Sequence, residues 1–206
     1  MILHGPLPIA PLPGSGRSPR GLFVGRSGIL LPDSGQLAGA SLTKPVCSPE
    51  ALRLLFRAGQ RGWKLYLIGN VEGVARGRVT DGAWERFEAD LLATLHGEGI
   101  QLVRHYACLD HPKGKGRHRR DSVFRFPNTG ALFHAAQEDG IELRESWVLG
   151  GDVDELAAGW RAGCRTARVG GVRARGEDLE VEADLVSTDL ARALAELLAT
   201  DEYSRA

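Results

Sequence analysis

What most restricts the fold of this chain is its rhythm. Short apolar runs of strand length alternate with longer stretches whose apolar residues recur at helical spacing. Strands are expected over 22–24, 63–68, 100–106, 146–149 and 165–169, with a last short one over 183–186. Between them, Ser48 offers an N-cap, Pro49 suits a first helical turn, and Leu52, Leu55 and Phe56 follow at helical spacing. Thr80 and Asp81 cap a second helix, which carries Trp84, Phe87, Leu91, Leu92 and Leu95 on one face. A third helix opens at Thr129 and Gly130 and stops at Gly140, and two more are expected over 154–162 and 190–198. Strands separated by such helices need right-handed crossovers, so the expected fold is α/β with a mainly parallel sheet covered on both faces.

At 206 residues, with 43% hydrophobic and 25% charged residues, the chain suits one globular domain. That domain is placed at 21–200. A Pro- and Gly-rich lead-in over 1–20 is expected to be irregular, and 201–206 to form a tail. Twenty-six basic residues balance 26 acidic ones, so no global field draws the chain to nucleic acid or to a membrane. No apolar run reaches spanning length. Cys47, Cys108 and Cys164 form an odd set without a short-spaced pair, which argues against a disulfide framework and for a reducing, cytoplasmic setting.

In an open parallel sheet, ligands bind at the carboxyl ends of the strands. Four segments at such ends carry a resemblance. Residues 67–77 (Leu-Ile-Gly-Asn-Val-Glu-Gly-Val-Ala-Arg-Gly) are similar to a T-N-Q-S-G-I-A-R-G motif. Residues 106–115, from Tyr106 to Lys115, are similar to a Y-C-P-H-H-P-x-G-K loop. Residues 124–130 stand in the place of C-R-K-P-K-P-G, and 148–155 in the place of V-G-D-x-x-x-D. These motifs belong to the haloacid-dehalogenase-like (HAD) phosphatases, in the branch of the heptose-bisphosphate and histidinol-phosphate phosphatases. The resemblance covers roughly residues 21–199. It implies a Rossmannoid three-layer sandwich without a large cap domain, and a magnesium-dependent phosphatase ancestry.

The resemblance also marks losses. The family's nucleophile and acid/base aspartates, in Asp-x-Asp-Gly-Thr, correspond to Gly25 and Ser27. Its phosphoryl-holding Thr is Gly69, its Lys is Asn128, its magnesium Asp is Gly151, and the later acidic partner is Glu155. A glycine forms no acyl phosphate, and a serine hydroxyl does not titrate near neutral pH. Magnesium wants oxygen ligands that include carboxylates, so its usual site is not expected to assemble. The branch's zinc loop reads Cys108, Asp110, Ser122 and Phe124, which leaves one thiolate where a structural zinc needs four N/S ligands. No cofactor is therefore expected.

Asn70, Arg125, Asn128 and Ser27 remain as candidate substrate-binding residues, while Asn70 also reads as a turn residue and Arg125 as a solvated one. The basic loop of Lys113, Lys115, Arg117, His118, Arg119 and Arg120 suits a polyanion, an acidic partner or plain solvation. Without interleaved aromatics it does not suit single-stranded nucleic acid. Asp152, Asp154 and Glu155 suit the N-terminus of the following helix. The expectation is a catalytically inert pseudophosphatase that binds a phosphorylated small molecule or a protein partner. The alternatives are an active phosphatase with unfamiliar carboxylates (Asp33, Asp152 or Asp154) and a structural subunit of an assembly.

Overall fold

The computed structural model describes residues 18–31, 37–38, 41–173 and 182–203. Most of the lead-in, and Asp33, lie outside the described residues.

The chain runs through β1 (Arg20–Gly25), α1 (Arg26–Ile29), a small antiparallel pair β2 (Leu37–Ala38) and β3 (Ser41–Leu42), then α2 (Pro49–Gln60) and β4 (Trp63–Asn70). There follow α3 (Glu72–Ala75), α4 (Asp81–Gly97), β5 (Leu102–Cys108), α5 (Gly130–Asp139), β6 (Trp147–Asp152), α6 (Val153–Arg161), β7 (Arg165–Arg173), β8 (Leu185–Ser187) and α7 (Leu190–Tyr203). Six strands form one sheet in the order β5-β4-β1-β6-β7-β8, and every neighbouring pair is parallel. The expected doubly covered HAD-like sandwich is the fold observed.

Successive side chains of a strand point to opposite faces, and here both faces are buried. Leu22, Val24, Leu65, Leu67, Trp147 and Leu149 join a core with α2, α4 and α7. Phe23, Tyr66, Ile68 and Val148 face the other way, onto Leu132, Ala135 and Ala158 of α5 and α6. Phe23 and Tyr66 stack with centroids 4.5 Å apart.

The helix signals act where the sequence puts them. Ser48 accepts from the Ala51 N–H at 3.4 Å, and Thr80 from the Ala83 N–H at 3.2 Å. Gly140 ends α5 with φ 64°, a conformation only glycine adopts cheaply. Two expectations shift. The third strand begins at Leu102 rather than residue 100, and Ile100 instead packs into the core. The last helix runs on to Tyr203, where Asp201 takes both Arg20 guanidinium nitrogens at 2.5 and 2.6 Å and ties the end of α7 to the start of β1.

Candidate active site

The carboxyl ends of β1, β4 and β6 meet at three buried glycines, Gly25, Gly69 and Gly150. The space that their missing side chains leave is filled by one carboxyl group. Glu155, in the first turn of α6, points its side chain back across the strand ends. A Cβ placed on Gly25 would collide with Glu155 Oε2, and would lie 3.1 Å from its Cδ and 3.2 Å from Oε1. A Cβ on Gly150 would lie 2.6 Å from Oε2, and one on Gly69 3.3 Å from Oε1. Gly69 has φ 150°, so a threonine there would be strained. Gly25 and Gly69, at two of the motif positions, together with Gly150 form the mould for a carboxyl that arrives from another element.

That carboxyl is chemically unusual. Glu155 is only 6% exposed, and its Oε2 has no hydrogen-bond partner. Burial pushes its pKa up to about 8, helped by the neighbouring Asp152 and Asp154 carboxylates and opposed by Arg26 and the Asp152 N–H. Near neutral pH the group holds its proton.

Arg26, the first residue of α1, forms the wall beside it. Its Nε and Nη2 bind Glu88 of α4 at 3.1 and 2.7 Å, and Nη1 donates to the Tyr106 carbonyl at 2.8 Å. His105 Nδ1 lies 3.1 Å from the same Glu88 carboxylate. The arginine is thus held by α4 and β5 together, with its charge close enough to Glu155 to oppose the rise.

A second cluster lies on the loops that follow β4 and β5. Arg76 and Arg125 share Glu72, with Nε of Arg76 at 3.3 Å and Nη2 of Arg125 at 3.8 Å, and the Nε atoms of both arginines lack a hydrogen-bond partner. Buried His111 accepts from the Lys113 N–H through Nδ1 at 2.9 Å. In the neutral ring that leaves the proton on Nε2, which faces Arg76 Nη2 at 3.2 Å. Two donors thus face one another. Desolvation, Arg125 and Arg76 all hold the His111 pKa low. The cluster is an excess of donors awaiting an acceptor.

The four candidate substrate residues are dispersed around these two centres. Asn70, at the end of β4, donates to the Phe126 carbonyl at 2.8 Å and accepts from the Phe126 N–H at 3.0 Å, so its amide pins the loop that carries Arg125. Asn128 is exposed and donates to the Ser122 carbonyl at 3.0 Å within that loop. Ser27 is exposed at the mouth, and its Oγ would lie 3.6 Å from a Cβ on Gly151. Asp152 caps α6 by accepting from the Asp154 N–H at 3.0 Å. In the basic loop, Arg117 and His118 pair with Asp81 at 2.8 and 2.7 Å, and Arg120 with Asp110 at 2.8 Å.

At the ion positions that the resemblance marks, the side chains differ from the usual ligands. Among the described residues no three His, Cys, Asp or Glu side chains converge as a metal-ligand group. Gly25 and Gly151 supply no oxygen where a magnesium ion would take carboxylates. At the zinc-loop positions Cys108 is buried with its Sγ 3.7 Å from the Asp110 carbonyl oxygen, and Asp110, Ser122 and Phe124 supply no second thiolate. No described helix is long and apolar enough to cross a membrane.

The sequence pattern pointed to Asn70 and Arg125 but not to the Glu155 pocket. The available signal was the glycines themselves. Two side chains lost, at Gly25 and Gly69, beside the bare Gly150 leave a hole where three strand ends converge, and close-packed interiors do not keep holes.

No family model matches the chain. Curated relatives do. The chain is 28% identical over 148 residues to the D-glycero-alpha-D-manno-heptose-1,7-bisphosphate 7-phosphatase of Burkholderia mallei, covering 71% of this chain and 77% of that protein. It is 29% identical over 141 residues to the D-glycero-beta-D-manno-heptose-1,7-bisphosphate 7-phosphatase of Haemophilus influenzae, covering 68% and 75%. The solved D,D-heptose 1,7-bisphosphate phosphatase of B. bronchiseptica, in complex with magnesium and phosphate, superposes with a TM-score of 0.69 at 22% identity, over 88% of this chain and 99% of that one.

The expectation of an inert pseudophosphatase is corrected on two counts. The relatives are phosphatases by name. A buried carboxyl also stands beside position 25, that of Glu155 from α6.

Proposed function

We propose that this chain, a haloacid-dehalogenase-like protein similar to the heptose-bisphosphate phosphatases, is itself an active phosphatase that hydrolyses a phosphate monoester of a sugar. The observation that carries the reading is the buried, unpartnered carboxyl of Glu155 where the ends of β1, β4 and β6 meet. Strongly perturbed carboxyls in clefts are characteristic of catalytic sites, since a purely structural position is more cheaply filled by an apolar or amide side chain.

The substrate class follows from charge. A phosphate monoester carries up to two negative charges and needs cations and hydrogen-bond donors around it as it transfers. Arg76, Arg125 and His111 supply such donors with only Glu72 as a shared acid, on the loops beside the strand ends. Guanidinium groups match phosphate oxygens in a planar fork, which suits Arg125 to the phosphate of a sugar substrate. The relatives' names point to a bisphosphorylated heptose, and a second phosphate would give this cluster its acceptor. Asn70 holds the Arg125 loop in register with β4.

The test is phosphate release from both anomers of D-glycero-D-manno-heptose 1,7-bisphosphate and from a panel of sugar monophosphates, in buffer containing magnesium. The expected kcat/KM on the best substrate is about 10⁴ M⁻¹ s⁻¹ or more, the lower end of ordinary enzymes. Release equal to the protein-free blank across the panel refutes the reading.

A further inference from the structure

We propose that the opposite end of the sheet carries a second binding site, a pocket that takes a small organic carboxylate on Arg165 with Arg144 beside it. The site shares no residue with the carboxyl ends of the strands, so it stands apart from the phosphatase reading.

Position comes first. β4, β1, β6 and β7 are neighbours in that order, and their first residues are Trp63, Arg20, Trp147 and Arg165. These four line one cavity of about 610 Å³, within the range of small-molecule pockets. β4 runs eight residues from Trp63 to Asn70, which puts the cavity about 23 Å from the Asn70 end at roughly 3.3 Å per residue.

The chemistry is repeated within the cavity, once complete and once not. Arg20 lies over the Trp63 ring, with Cζ 3.7 Å from the centroid, and Arg165 lies over the Trp147 ring at 4.4 Å. A guanidinium stacked on a ring face keeps its in-plane N–H donors for an anion. Arg20 uses them on Asp201, Nη1 and Nη2 each taking one carboxylate oxygen at 2.5 and 2.6 Å. Arg165 repeats the stack without the carboxylate, and among the described residues no acid pairs with its guanidinium.

The rest of the lining leaves positive charge over. Arg144, in the turn before β6, lines the same cavity, and among the described residues its guanidinium has no acidic partner either. Three guanidinium groups thus face the two carboxylates of Glu145 and Asp201, and Asp201 is already held by Arg20. Trp63, only 5% exposed on the same wall, adds an indole Nε1–H with no hydrogen-bond partner. A carboxylate matches the planar fork of a guanidinium with two oxygens at once. A ligand carboxylate on Arg165 would stand to it as Asp201 stands to Arg20, with the Arg144 charge alongside.

The experiment follows the four indole N–H signals of the ¹⁵N-labelled full chain during titration with succinate at constant ionic strength, each signal assigned by its Trp→Phe variant. Those of Trp63 and Trp147 are expected to shift and saturate with a Kd of about 1 mM or tighter, while that of Trp84, beside Arg26, stays in place. Arg165→Ala, at an exposed position, is expected to weaken binding about tenfold or more with unchanged thermal melting, the scale of a lost charge-assisted hydrogen bond. Arg165→Lys keeps the charge but loses the fork, and is expected to weaken binding too. Sodium chloride and inorganic phosphate are the comparison anions. No saturable shift of Trp147 with succinate up to about 10 mM, ten times the expected Kd, overturns the proposal. So does an equal shift with chloride, a tighter response to phosphate, or a folded Arg165→Ala that binds like wild type. None of these outcomes touches phosphate release, so the phosphatase reading stands or falls separately.

Discussion

Replacing Glu155 by glutamine should make the protein less active and, above neutral pH, more stable. The reason lies in proton linkage. In the unfolded chain the carboxyl releases its proton near 4.5, and in the folded chain it keeps it until about 8. Between those values the folded state binds more protons than the unfolded state, so stability falls as pH rises. The carboxyl's contribution is fully present below 4.5, shrinks through the window, and is gone above 8. Each pH unit inside the window is worth about 1.4 kcal/mol. The loss therefore amounts to about 3 kcal/mol between pH 5 and pH 8 once the rounded ends of the titration are allowed for. Glutamine has nearly the same shape and no proton to lose, so it escapes this slope. Its amide adds a cost that does not depend on pH, which the comparison across pH cancels. Titrating groups remote from residue 155 are common to the two proteins and drop out of their difference. The assay is urea unfolding of wild type and Glu155→Gln at pH 5, 6, 7, 8 and 9, read as the difference in ΔG at each pH. The difference should move in the variant's favour by about 3 kcal/mol from pH 5 to pH 8 and then level off, against an extrapolation error of about 10–15% on each value. A difference that stays flat across that range means the carboxyl is not held neutral in the fold, and the pocket between Gly25 and Gly150 is not as described.

The same titration should shape catalysis. If the working form of Glu155 is the ionised carboxylate, kcat/KM rises with pH to a plateau above about 8 and is flat in no neutral window, which a pH–rate series on wild type checks. Arg26→Ala strips the buried partner from Glu88 and is expected to cost about 3–5 kcal/mol, seen as a lower urea midpoint. Asn70→Ala leaves the Phe126 N–H and carbonyl unpaired at about 1–3 kcal/mol each, and should raise KM as the Arg125 loop loses its anchor. Arg125→Ala should raise KM for the bisphosphate by about tenfold while changing kcat less, the pattern of lost ground-state binding; an unchanged KM removes Arg125 from the substrate site.

Sequence alone determined the architecture, and the reasons are local. Runs such as Leu65-Tyr66-Leu67-Ile68 can only be satisfied by burial on both faces, which demands a parallel sheet between helices. Ser48, Thr80 and Gly140 set helix ends through their own backbone neighbours, within three or four residues. What escaped was short or remote. α1, α3 and the β2–β3 pair are too brief for any periodicity to show. Asn70 and Phe126 are 56 residues apart, and no local rule joins an amide to a backbone at that separation.

The burial of the Glu155 carboxyl between the strand-end glycines belonged to tertiary structure. Position by position, Gly25, Gly69 and Gly151 read as deletions of catalytic groups, because a sequence motif assigns each role to its own residue. The fold assigns roles by place instead. Parallel strands bring β1, β4 and β6 to one point, and the first turn of α6 is near enough for a glutamate, one methylene longer than aspartate, to reach across it. Whether an oxygen stands at the strand ends is a question about distance in space, and only the packed sheet answers it.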